Sequence, residues 1–70
     1  MQRVPKAILS WIVNVQCDPL GAITSVFGIS DAEADRILNK LISDGYIVKK
    51  NNNYYPTEKG EAFIYAGGIH

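Results

Sequence analysis

Residues 22–60 read AITSVFGISDAEADRILNKLISDGYIVKKNNNYYPTEKG, and the punctuation of that stretch decides the architecture. Leu20, Ile23, Val26 and Phe27 are apolar at helical spacing, and Gly28 supplies the left-handed residue that ends a helix. Ile29 plugs the turn. Ser30 or Asp31 then caps a second helix, with Glu33 and Ala34 in its first turn. Ala34, Ile37, Leu38, Leu41 and Ile42 follow as one helical stripe, while Ala32, Asp35, Arg36, Asn39, Lys40 and Ser43 fall on the opposite face. Gly45, after Asp44, stops that helix. Tyr46-Ile47-Val48 and Tyr54-Tyr55 have strand composition. The run Lys49-Lys50-Asn51-Asn52-Asn53 between them is expected to turn tightly, because Asn tolerates positive φ.

Working outward, Pro56 ends the second strand. Thr57 is expected to cap a last helix through Glu58, Glu61, Phe63 and Ile64, closed by Gly67-Gly68, with Ile69 and His70 frayed. At the other end Met1–Val4 reads as a loose lead-in, and Pro5 suits a first helical position. Lys6, Ser10 and Asn14 form a polar stripe on this first helix. Ile8, Leu9, Trp11, Ile12, Val13 and Val15 fill the rest, an arc of roughly 200° where a surface helix needs ~100°. Two covers suit that excess: the C-terminal run Ala62–Ala66 folding back, or a second copy of the chain meeting it through Trp11, Val13 or that run. Asp18-Pro19 reads as the capped start of the helix that Gly28 ends.

Seventy residues make one domain over 1–70, and a core this small yields only about 3–5 kcal/mol of net stability. A hydrophobic fraction of 47% fits a folded chain rather than a disordered one. A single Cys allows no internal disulfide, which suits a reducing compartment. No apolar run reaches the ~20 residues that span a bilayer. Ser10 and Asn14 interrupt Ala7–Val15, and no small-residue cleavage site follows it, so a cytoplasmic location is expected.

Enzyme chemistry fails on inventory, so no catalytic residue and no cofactor is expected. The only His is residue 70 and the only Cys is Cys17, which excludes a Cys–His pair built within the sequence and a zinc quartet. There is no glycine-rich phosphate loop. Asp31, Glu33 and Asp35 are explained by the helix dipole, which favours acids in a first turn, and lack the glycine turn and downstream Glu of a calcium loop. Cys17 is expected to be a small buried hydrophobe. Tyr46, Tyr54 and Tyr55 suit a sheet with one edge wet, base stacking being the alternative.

Over residues 19–61 the chain resembles the winged helix-turn-helix superfamily of bacterial regulators. ITSVFGIS resembles its first helix and turn, DAEADRILNKLISDGYI its recognition helix and first wing strand, and YYPTEKGEAF the second strand and closing helix. Thr57-Glu58-Lys59-Gly60 resembles the same junction in multiple-antibiotic-resistance-type regulators, and the size is similar to that of the short fimbrial phase-variation regulators. The resemblance implies an α+β fold with a three-helix core, a two-stranded wing and a short C-terminal helix. It implies a transcription regulator that binds double-stranded DNA, as a homodimer or beside another regulator. By position, Ser30, Ala32, Asp35, Arg36, Asn39 and Lys40 would face bases, with Arg36 suited to guanine and Asn39 to adenine. Lys49, Lys50, Asn51, Asn52 and Asn53 would form the wing and reach phosphates or the minor groove.

Charge departs from that pattern. Seven basic and seven acidic residues cancel, with a pI near 6.5. Residues 31–44 carry Asp31, Glu33, Asp35 and Asp44 against Arg36 and Lys40, a net of −2. A carboxylate ~7 Å from a phosphate costs about 0.6 kcal/mol in water before screening. Three such contacts remove roughly tenfold in affinity. The alternative is a winged-helix protein-interaction module, in which Arg36 and Lys40 balance their acidic neighbours and the acidic face meets a basic partner.

Overall fold

The computed structural model describes residues 3–69, with side chains through residue 66. It is a small α+β domain of four helices and a three-stranded antiparallel sheet. Helix α1 spans Arg3–Val15, strand β1 Asp18–Pro19, α2 Leu20–Phe27, α3 Asp31–Ser43, β2 Ile47–Lys50, β3 Asn53–Pro56 and α4 Glu58–Ile69. The sheet order is β1-β3-β2. Among the described residues no helix is long and apolar enough to cross a membrane.

The helical stripes meet in one core. Ile8, Leu9, Ile12 and Val13 of α1, Ile23 of α2, Ala34, Ile37, Leu38 and Leu41 of α3, Ile47 of β2 and Tyr54 of β3 are buried together. Helix α1 packs against α3, α4 and β3, and α2 against α3. The wide apolar arc of α1 is therefore covered largely from within the chain, by α4 folding back. Val13 is in the core, and Trp11 is half-buried with its indole Nε1 donating to the Asp18 carboxylate at 2.7 Å. Val13 is thus closed to a second copy, while Trp11 keeps part of its surface exposed.

Several boundaries shift for identifiable reasons. Helix α1 begins at Arg3, so Pro5 occupies the third helical position, where its missing N–H still costs no hydrogen bond. The Met1–Gln2 lead-in and His70 lie outside the described residues. Gln16 takes φ 72 and ends α1, its N–H donating to Ile12 O at 2.7 Å. Its side chain reaches the Glu61 carboxylate at 3.0 Å and ties that end to α4. Asp18 does not cap α2. It pairs with Tyr54 as the first residue of β1, and the N-cap position falls to Pro19, with no side-chain cap. Cys17 is exposed, not buried. Helix α4 continues through Gly67 and Gly68 to Ile69 rather than closing at the glycines.

The α2–α3 corner follows its sequence. Gly28 has φ 63, and its N–H donates to Thr24 O at 2.8 Å. Ser30 caps α3 by accepting from the Glu33 N–H at 3.1 Å.

The far end of α3 is held by the Thr57–Gly60 junction. Thr57 Oγ1 donates to Gly45 O at 2.7 Å and accepts the Gly60 N–H at 3.1 Å, while the Thr57 N–H donates to Tyr46 O at 3.0 Å. Lys59 Nζ donates to Asp44 O at 2.7 Å and lies 4.8 Å from the Tyr46 ring centroid. A cation on the last carbonyls of α3 also suits the helix dipole. A Cβ at Gly60 would stand 2.1 Å from Tyr46 O, so the junction accepts only glycine there without movement.

Candidate nucleic-acid interface

The outer side of α3 is free of the core. Ala32, Asp35, Arg36, Asn39, Lys40 and Ser43 are all exposed, because the buried stripe Ala34–Ile37–Leu38–Leu41 occupies the other side of the same 3.6-residue period. Two neighbouring ridges run along it, each an i, i+4 pair: Asp35 with Asn39, and Arg36 with Lys40. The cationic ridge leans over a groove of about 750 Å³, where Glu33, Arg36, Lys40 and Asp44 form one wall and Val4, Pro5, Tyr46 and Phe63 another.

Each cation of that ridge has an acid beside it. Arg36 lies 3.8 Å from Glu33, and Lys40 3.3 Å from Asp44. Exposed pairs of this kind are worth only about 0.2–1 kcal/mol, so both side chains remain available to a stronger anion. Asp35 and Asn39 take no side-chain hydrogen bond or ion pair among the described residues. Ser30 is exposed, yet its oxygen already accepts the Glu33 N–H of the cap, which leaves its hydroxyl hydrogen and one lone pair for a base.

The hairpin differs from a five-residue lysine–asparagine turn. Only Asn51 and Asn52 lie between the strands, with φ 52 and 66, the two consecutive positive values of a tight two-residue turn. Lys49, Lys50 and Asn53 are strand residues, paired Lys49↔Tyr54 and Lys50↔Asn53. Strand residues alternate in direction and cross-strand partners share a face. Lys49 therefore lies on the core face with Ile47 and Tyr54, its ammonium 5.6 Å from the Tyr54 ring centroid. Lys50 lies on the outer face with Val48 and Tyr55. The two lysines are thus on opposite faces of the sheet, not side by side at a tip. Asn53 is half-buried, and its amide donates to Asn51 O at 3.3 Å. Asn51 and Asn52 are exposed.

Lys49 and Asn52 also border a smaller groove of about 330 Å³, closed by Pro19, Leu20 and Gly21 at the uncapped start of α2. Sequence reading could not place α2 beside the hairpin, because the pairing of β1 with β3 that brings them together leaves no local signature. The Cys17 sulfur beside Tyr55, acting first as a hydrogen-bond acceptor for the phenol and second through its negative charge once ionised, pushes the Tyr55 pKa above the ordinary 10.0. Among the described residues no group of three or more His, Cys, Asp or Glu is placed to hold a metal ion.

No family model matches the chain, and comparison with curated proteins gives no match either.

Proposed function

We propose that this domain is a winged helix-turn-helix that regulates transcription by laying α3 in the major groove of DNA with the β2–β3 hairpin on the backbone. The observation that carries the reading is the outer side of α3. A thirteen-residue helix presents a mostly polar face that, among the described residues, lies outside the core, directly after a glycine corner and directly before a lysine-bearing hairpin. Helix α1, strand β1 and helix α4 serve as its support. Their order around α2 and α3, with β1 completing the sheet, suits such a unit.

Four cations, Arg36, Lys40, Lys49 and Lys50, supply the phosphate contacts of one copy, too few for tight binding alone. The reading therefore includes a second copy or a partner regulator. Among the described residues, Tyr65 on α4, Val26 on α2, Val4 and Val15 on α1 and Val48 on β2 are the exposed large apolar side chains available for that contact, Tyr65 the most exposed at 61%. The test is fluorescence anisotropy on a labelled random duplex pool at low salt. Binding should appear, and Lys49→Ala with Lys50→Ala should weaken it and flatten its dependence on salt.

A second reading has its own support. The Arg36–Glu33 and Lys40–Asp44 pairs, with the net −2 of residues 31–44, favour a protein-interaction module whose α3 meets a basic partner. No anisotropy change at low salt and high protein concentration would assign the domain to that class.

A further inference from the structure

We propose that sequence selection, within the DNA-binding reading above, resides in the Asp35–Asn39 ridge, and that it selects bases presenting an amino group in the major groove, cytosine and adenine. Arg36 was the natural candidate for reading guanine, but it and Lys40 stand on the ridge that leans over the α1–α3 groove, each beside its own acid. That ridge is suited to phosphates. Asp35 and Asn39 line neither groove, are exposed, and have no side-chain partner among the described residues.

The chemistry of the two side chains then fixes what they accept. An ionised carboxylate only accepts hydrogen bonds. In the major groove, cytosine N4 and adenine N6 are donors, whereas guanine and thymine present only acceptors. Every base pair presents one amino group in the major groove, so Asp35 reads orientation: cytosine or adenine on the strand it faces, against guanine or thymine. Asn39, with a donor and an acceptor on one fork, fits the N6 and N7 of adenine. The two residues are four apart on α3, about 6 Å along the axis. At ~3.4 Å per base pair, they address positions roughly two base pairs apart.

Selection of bound fragments from random duplexes, run in parallel on the parent chain, Asp35→Asn, Asn39→Ala and Arg36→Ala, tests this. Both Asp35 and Asn39 are exposed and unpartnered, and matching circular-dichroism melts verify that their variants fold. The parent should enrich cytosine or adenine at one position and adenine about two base pairs away. Asp35→Asn should relax the first position, with discrimination against guanine falling about tenfold. Asn39→Ala should relax the second, and Arg36→Ala should weaken all sequences alike without changing the motif. A motif unchanged by Asp35→Asn, or altered only by Arg36→Ala, overturns the assignment and leaves DNA binding standing. Absence of any enrichment, with no anisotropy change at low salt, overturns both.

Discussion

Gly60→Ala is the sharpest test of how this domain holds its shape. Alanine normally helps a helix relative to glycine, by about 0.5–1 kcal/mol. At residue 60, however, the new methyl would lie 2.1 Å from Tyr46 O, 3.1 Å from Tyr46 C and 3.3 Å from Leu9 Cδ1. The first two are backbone atoms, and that carbonyl already accepts the Thr57 N–H at 3.0 Å. Relief requires α4 and the α3–β2 turn to part by about 1 Å, loosening the Thr57 and Lys59 bonds with them. Such overpacking costs about 3 kcal/mol, the upper end of the usual range, because no flexible side chain can absorb it. The net loss is about 2 kcal/mol after the helix gain, against a total of about 3–5. At ~4–8 °C per kcal/mol for a domain of this size, the melting temperature should fall by roughly 8–16 °C. Gly21→Ala is the matched control: that glycine is helical, exposed and has nothing within 4 Å of an added Cβ, so the same change should raise the melting temperature by a few degrees. Thermal melts followed by circular dichroism read both. If Gly60→Ala melts within about 3 °C of the parent, the close approach of Gly60 to Tyr46 is not part of the fold.

Other expectations follow from single contacts. Ser30→Ala removes the cap of α3 and should cost about 1 kcal/mol by urea unfolding, with α3 amides near residue 33 exchanging faster in hydrogen exchange. Asp18→Ala strips the indole N–H of Trp11 of its carboxylate partner, worth about 1.5 kcal/mol for a half-buried charged acceptor, and should shift the emission of this sole tryptophan. Tyr55 should ionise above the ordinary phenol value, and Cys17→Ala should bring it back down; ultraviolet titration of the two proteins measures the difference. The sign for stability is set by the raised folded value. The contribution of Tyr55 is present below pH 10.0, the unfolded value, and is lost as pH climbs through the folded one.

What was legible in the sequence was local. The α3 stripe, the Gly28 corner, the Ser30 cap and the Thr57 cap each depend on residues within a few positions, where helical spacing and capping chemistry act. What was illegible depended on pairing across the chain. Asp18 reads as a helix cap until Tyr54 arrives beside it, when its backbone joins the sheet and its carboxylate goes to Trp11. Gly60 reads as an unremarkable third residue of a helix, since only the approach of Tyr46 reveals why no side chain fits there. On the candidate site, sequence periodicity gave the exposed face of α3 but not which of its two ridges, Arg36–Lys40 or Asp35–Asn39, borders the α1–α3 groove. That distinction arises because Val4 and Pro5 of α1 lie along one flank of α3 and not the other.

The hairpin lysines show how a small error in turn length changes a functional argument. A five-residue turn would place Lys49 and Lys50 together, as a double charge for one phosphate strand. A two-residue turn keeps both in β2, and adjacent strand residues must point to opposite faces. Laid flat on a DNA backbone, such a hairpin uses one lysine and wastes the other. Set edge-on into the minor groove, about 6 Å wide, it offers one lysine to each wall. The two geometries separate by salt dependence, since each phosphate neutralised contributes about 0.9 to the slope of log affinity against log salt. Edge-on docking requires Lys49→Ala and Lys50→Ala each to lower the slope by about that amount, and the pair to be additive. Flat docking requires one of them to be silent. Lys49 already has the Tyr54 ring beneath it and the start of α2 beside it, whereas Lys50 shares its face with Val48 and Tyr55. Under flat docking the active lysine is therefore Lys49 if the core side of the hairpin meets the duplex, and Lys50 if the outer side does.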